Sequence, residues 1–185
     1  ELPFELKLDE FSIDDYNPEL IIVDNQTGKA VKEKKHNEQI IIDSGLVANI
    51  KNWQIKVLRY LPEAAFYGND FYHFNSKGSL PAAFVEVKNN IDQSVVQGWI
   101  SCGNFIYNPS FIGLDNNYSL TMGLPHPKKY SSEISVIDND KNVRNITLTV
   151  NNPVKISGWE LYQTGFDEQM GKWSDLSRIQ AVSDP

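Results

Sequence analysis

The chain has 185 residues, 41% of them hydrophobic and 22% charged, and its 24 Asp and Glu outnumber 17 Lys and Arg for a net charge of −7. That length supports one well-cored domain or two small lobes, and the composition excludes a disordered chain. The acidic balance argues against nucleic acid, whose phosphates need clustered Lys and Arg, and is compatible with a basic protein partner.

Taken in chain order, ten stretches rich in β-branched and aromatic residues predict strands, many with period-two alternation. They are FELKL (4–8), ELIIVD (19–24), QIIID (39–43), WQIKVLRY (53–60), AFVEVK (83–88), SVVQGWIS (94–101), YSLTM (118–122), EISVID (133–138), NITLTV (145–150) and WELYQT (159–164). Turn signals separate them, among them Asn25-Gln26-Thr27-Gly28, Asn89-Asn90, Asn139-Asp140 and Asn151-Asn152-Pro153. Only PEAAFYGNDFYHF (62–74) is expected to hold a helical turn. Many short strands with frequent turns predict an all-β fold, a β-sandwich or barrel-like domain.

The strands repeat. FELKL (4–8) matches YSLTM (118–122) and ELIIVDN (19–25) matches EISVIDN (133–139), both offset by 114 residues; IKNWQIK (50–56) matches ISGWELY (156–162), offset by 106. The offset changes within QTGKAVKEKKHNEQ, where the first copy is longer. One domain over 1–185 is therefore expected, with repeat unit 1 at about 1–62, a central hairpin section at about 63–117 and repeat unit 2 at about 118–185. Each half-sheet would be too small to stand alone and would pack on its counterpart, with Trp53 and Trp159 at equivalent core positions.

Catalytic and metal patterns are missing from the sequence. The single cysteine, Cys102, allows no internal disulfide and reads as a small buried hydrophobe. His36, His73 and His126 lie in separate segments without a partner at metal-ligand spacing. No serine stands in a nucleophile-elbow context, Asp138-Asn139-Asp140 lacks the glycine and distal glutamate of an EF-hand, and Gly165 and Gly171 form no phosphate loop. The chain is read as a non-enzyme. No apolar run approaches the ~20 residues needed to span a bilayer. The chain opens in strand rhythm at Glu1-Leu2-Pro3-Phe4 and stops at Asp184-Pro185, as expected of a piece of a longer protein.

The densest aromatic segment is FYGNDFYHFNSKGSLPAAF (66–84). One reading is a long loop tucked over the sandwich; the other is an exposed aromatic surface for a partner, a lipid headgroup or a porphyrin. Phe71, Tyr72, His73 and Phe74 are the candidate partner-binding residues.

The C-terminal stretch NNPVKISGWELYQTGFDEQMGKWSDLSRIQAVSDP (151–185) resembles the signature of ResB-type cytochrome c biogenesis proteins. The shared pattern is V-N-x-P-x-x-x-x-G-W-x-x-Y-Q, then F-D-x-x-M-G-x-x-S, then a strand ending in D-P. LPHPKKYSSEISVID (124–138), LPFELKLDEFSIDDY (2–16) and PAAFVEV…GWISCGNF (81–105) resemble the upstream parts more diffusely. The resemblance implies the extracytoplasmic, periplasmic domain of a bacterial inner-membrane protein in the system II pathway. It implies a ResC-type haem-handling membrane protein, apocytochrome c and a thioredoxin-like thiol reductase as partners. It also implies that haem is handled by the full complex, with no cofactor in this domain; the histidine ligands belong elsewhere, so none maps onto His36, His73 or His126. The implied role is scaffolding the complex and presenting apocytochrome c. Within this reading, strand 154–164 is the last core strand, DEQMGKWSD is a turn at the sandwich edge, and 174–182 returns the chain to the membrane. A generic extracellular β-sandwich binding module, for carbohydrate or adhesion, is the alternative.

Overall fold

The computed structural model describes residues 2–31 and 39–183. Among these, fourteen strands follow one another: β1 (Phe4–Asp15), β2 (Leu20–Asp24), β3 (Val47–Ile50), β4 (Trp53–Tyr67), β5 (Asp70–His73), β6 (Leu80–Asn89), β7 (Val95–Ser101), β8 (Ile112–Gly113), β9 (Tyr118–Met122), β10 (Pro127–Asp138), β11 (Val143–Thr149), β12 (Val154–Ile156), β13 (Trp159–Phe166) and β14 (Ser177–Ser183). A single 3-10 turn at Gly171–Trp173 interrupts them. The expected all-β class is borne out. The stretch 62–74, expected to turn helically, is instead the outer part of β4, a turn at Gly68 (φ +66°) and β5. Its alternation of small and aromatic residues suits a pleated hairpin better than a helix face.

The chain divides into two compact units: residues 1–16 with 127–185, and residues 17–126. In the 17–126 unit, β2, β9 and β8 form one sheet and β3, β4, β6 and β7 another, with β5 added beside β4. Inward residues of both sheets meet in one core that includes Leu20, Ile22, Trp53, Ile55, Val85, Ile100 and Leu120. Each such buried aliphatic side chain contributes about 1.5–3 kcal/mol by leaving water. Residues 39–43, expected as a strand, lie beside β2 through single bonds. Leu20 N–H donates to Ile40 O (2.8 Å) and Ile42 N–H donates to Pro18 O (2.9 Å). Residues 32–38, with His36, lie outside the described residues.

In the other unit, β1-β10-β11 and β12-β13-β14 are two three-stranded sheets around a smaller core of Phe4, Ile134, Val136, Ile146, Leu148, Ile156 and Leu161. The charge is unevenly divided. This unit holds 14 carboxylates against 8 Lys and Arg, a net of −6; the 17–126 unit holds 10 against 9, a net of −1.

Two of the matched segments take the same local shape. The matched segments IKNW and ISGW are both two-residue hairpins, with Ile50 opposite Trp53 and Ile156 opposite Trp159. Their first loop residues, Lys51 and Ser157, have φ of +50° and +49°, in the left-handed region that two-residue hairpins favour. The first strand of each copy, however, pairs with the second strand of the other: β1 with β10, and β9 with β2. The compact units are therefore divided at 16/17 and 126/127, not at the repeat boundaries near 62 and 118. Prolines stand in both connections, Asn17-Pro18 in one and Leu124-Pro125-His126-Pro127 in the other, and the residue before a proline is held extended. Trp53 is 3% exposed, whereas Trp159 is half-buried on the edge of the smaller core, so the two tryptophans share a hairpin position but not a depth.

Turn carboxylates give the fold a pH dependence. Asp138 Oδ1 accepts from the N–H groups of Asp140 and Asn142, both at 2.9 Å, and its Oδ2 accepts from Asn142 Nδ2 (3.0 Å). These bonds, that from the Asn142 side chain foremost, hold its pKa below the ordinary 3.8. Asp24 is lowered by the backbone N–H groups of Thr27 and Gln26, Asp92 by the Ser94 hydroxyl and Asp9 by the Ser135 hydroxyl. A depressed carboxylate adds stability that is full above its unfolded pKa and lost as pH falls through the folded one. Thermal melts should therefore hold steady from pH 7 to 5 and shift to lower temperature below about pH 4. A Tm that rises on acidification would refute this.

Candidate functional site

The aromatic segment folds as the β4–β5 hairpin in the 17–126 unit. Pro62, which cannot donate to a ladder, sits in the bulge between Leu61 and Ala64. Beyond it Ala64 faces His73, Ala65 faces Tyr72, Phe66 faces Phe71 and Tyr67 faces Asp70. Residues directly opposite share a face of the hairpin. One face therefore carries Phe66 and Phe71, and the other carries Tyr67, Tyr72 and, two residues further on, Phe74.

The first face is fixed to the molecule through Phe71, while Phe66 stays 43% exposed. Phe71 lies 5.1 Å from Phe66 and 5.4 Å from Trp99, centroid to centroid, and Trp99 lies 5.3 Å from Phe84. Phe71 joins Ala64, Leu80 and Ala82 in a separate small core, with Leu61, Trp99 and Tyr107 at its border. Arg59 donates through Nη2 to Phe71 O (2.8 Å), and its guanidinium lies 5.0 Å from the Trp99 ring centroid. The Trp99 indole N–H donates to Asp70 Oδ1. Ala82 faces this small core while its neighbour Ala83 faces the main one, so β6 is covered on both sides.

The second face is open. Tyr67 is 81% exposed, Tyr72 53% and Phe74 44%. The four candidate residues are thus divided. Phe71 is 2% exposed and cannot offer its ring to a partner, Tyr72 and Phe74 can, and His73 is exposed opposite Ala64. Sequence reasoning did not single out Tyr67, the most exposed ring of the set. Reading FY-GN-DFYHF as strand, two-residue turn and strand would have placed it on the Tyr72 side.

Other candidate chemistry stays dispersed. His126 is exposed in the connection before β10, and Cys102 is half-buried with its thiol donating to Gly103 O (3.3 Å). Among the described residues no three His, Cys, Asp or Glu side chains gather as a metal site, and no helix is long and apolar enough to cross a membrane.

The signature region folds as a three-stranded meander in the unit containing the termini. The stretch 154–164, expected as one strand, is two: β12 and β13, joined by a tight turn in which Ser157 and Gly158 both have positive φ. The further strand expected after the turn is β14, which returns antiparallel beside β13. Gly165 does not end β13; it marks a bulge where the register shifts between Gln163 and Gly165. Leu161 is buried in the core, and Phe166 packs on Phe11 (5.2 Å) and Tyr130 (5.1 Å). The DEQMGKWSD loop is closed by buried Ser174, whose Oγ accepts from the N–H of Asp167 (3.1 Å) and of Leu176 (3.1 Å) and donates to Leu176 O (2.7 Å). The final Asp184-Pro185 lies outside the described residues. The signature residues described above build the fold of this unit.

No curated protein matches the chain. Residues 107–181 match the model of the ResB-like family, a region running from the end of the small core through β8 to most of β14. With the Trp-x-x-Tyr-Gln strand, the loop that follows and the returning strand all inside it, this match bears out, over residues 107–181, the identification of the chain as a ResB-type cytochrome c biogenesis protein domain.

Proposed function

We propose that this chain is a non-catalytic, extracytoplasmic part of a membrane complex that exports haem and attaches it to apocytochrome c, and that it scaffolds the complex and presents the apocytochrome. The family match ties the chain to cytochrome c biogenesis. One observation carries the finer reading: the β4–β5 hairpin is anchored by one aromatic face while the other turns Tyr67, Tyr72 and Phe74 outward. Exposed aromatics on a rigid base are the usual centre of a protein-binding surface. The negative charge of the chain, mostly on the unit holding the termini, would speed the encounter with a basic polypeptide without supplying the contact itself.

A ResC-type membrane protein and a thioredoxin-like thiol reductase complete the proposed set of partners. Haem belongs to that assembly. Its iron needs an axial His, Met, Cys or Tyr over an apolar pocket. Here His73, His126, Tyr67 and Tyr72 are exposed, Met122 is packed in the main core and Cys102 sits in a loop beside Gly103, so none of these potential ligands lies over an apolar pocket.

The test is the double variant Tyr72→Ala with Phe74→Ala. It should keep the wild-type Tm within a few degrees, because both rings are exposed, and should weaken capture of a purified apocytochrome c at least tenfold. Unchanged capture by the stable variant removes the hairpin as the docking surface. Loss of binding to an oligosaccharide array instead would favour the carbohydrate-binding alternative, since exposed Tyr rings also stack on sugars.

A further inference from the structure

The unit that contains the termini holds a polar group its own atoms do not satisfy. Gln163, on β13, is 6% exposed. Its Nε2 donates to Ser132 Oγ on β10 (2.7 Å) and to Ser177 Oγ on β14 (3.3 Å), so the amide bridges the two sheets. Ser132 is fully buried, and its hydroxyl donates to Ser177 Oγ (2.9 Å). This uses both amide hydrogens and the Ser132 hydrogen. Two complementary groups are left over: Gln163 Oε1, which is buried and accepts nothing, and the hydroxyl hydrogen of Ser177. Turning the amide over does not help, since one of its two ends would still face no partner. Buried polar atoms without a partner are rare, and a leftover acceptor beside a leftover donor is the pairing a single water satisfies.

We infer that one ordered water sits between the two sheets of this unit, donating to Gln163 Oε1 and accepting from the Ser177 hydroxyl. Ser177 is only half-buried, which gives the water a way in beside β14. The glutamine of the Trp-x-x-Tyr-Gln strand is then one corner of a four-member network, Gln163, Ser132, Ser177 and water, that joins the two layers of the unit.

A crystal structure at about 1.5 Å resolution decides it. The expected result is one water peak within about 2.7–3.2 Å of Gln163 Oε1 and in reach of Ser177 Oγ. An empty position there, or a protein donor on Oε1, overturns the proposal. Oxygen-17 relaxation dispersion in solution supplies a second readout. Wild type should show one more long-lived water than Gln163→Met, whose side chain has nearly the same shape and no hydrogen-bonding amide; equal counts from two folded proteins would count against the site. If Gln163→Met does not fold, the wild-type crystal structure still settles the matter.

Discussion

Gly103→Ala should destabilise the 17–126 unit by about 2–5 kcal/mol, far more than a surface glycine would. Two costs combine. Gly103 has φ +71°, and an L-residue forced into that region pays about 1–2 kcal/mol. A Cβ there would also meet Pro109 N at 2.6 Å and both Pro109 Cδ and Tyr107 O at 2.8 Å. These are backbone and ring atoms that cannot swing aside, so overpacking adds about 1–3 kcal/mol. The loop has little freedom to adjust. Asn104 N–H donates to Tyr107 O (2.8 Å), Asn104 Oδ1 accepts from the N–H of Ile106 (2.9 Å) and of Tyr107 (3.0 Å), and Asn104 Nδ2 donates to Gly78 O (2.7 Å). Gly158→Ala is the control: its φ is +78°, but nothing lies within 4 Å of its Cβ position. Urea denaturation of both variants should separate strain alone from strain plus collision. Equal midpoints would mean that the 102–110 loop yields more easily than its geometry indicates.

Phe71→Ala should cost roughly 3–5 kcal/mol, the range for truncating a buried phenylalanine. The ring contacts Phe66 and Trp99 and closes the small core over Ala82, so its removal leaves a cavity that the hairpin cannot collapse into without losing the Arg59 bond to its backbone. Tyr72→Ala, one residue away, should change stability by no more than about 0.5 kcal/mol, as for most surface changes. The contrast between neighbours matters more than either value. If chemical denaturation finds the two equally mild, Phe71 is not the anchor of the hairpin, and the exposed rings have no rigid base to be presented on.

Most strands could be read from the sequence because their alternation is carried by local residues. Ile55, Val57, Val85 and Val87 point inward at every second position, and the structure buries all four. Partner choice was harder to read. Nothing near Phe4 indicates that its neighbour will be Asp138; that pairing is long-range, and a local pattern does not carry it. Short strands were also hidden. β8 has two residues and β5 four, too few to display a period. At the candidate site the aromatic cluster was visible, but its division was not. Phe71 and Tyr72 are adjacent, so which faces the core depends on the hairpin register, and that register is set by the bulge at Pro62 and the turn at Gly68.

The pairing of β1 with β10 and of β2 with β9 also bears on how the chain comes into being. Synthesis runs from the N-terminus, at about 5–20 residues per second. β1 is made well before β10, its sheet neighbour among the described residues, which follows some 120 residues later. For roughly 10 s Phe4, Leu6, Leu8, Phe11 and Ile13 have no surface to settle on, and β2 waits almost as long for β9. Such non-local closure makes for slow folding and leaves an unpaired strand open to aggregation. Glu5, Lys7, Asp9, Glu10 and Asp14 alternate with those apolar side chains along the same strand. Charges so placed discourage pairing with the wrong partner in the interval before β10 exists.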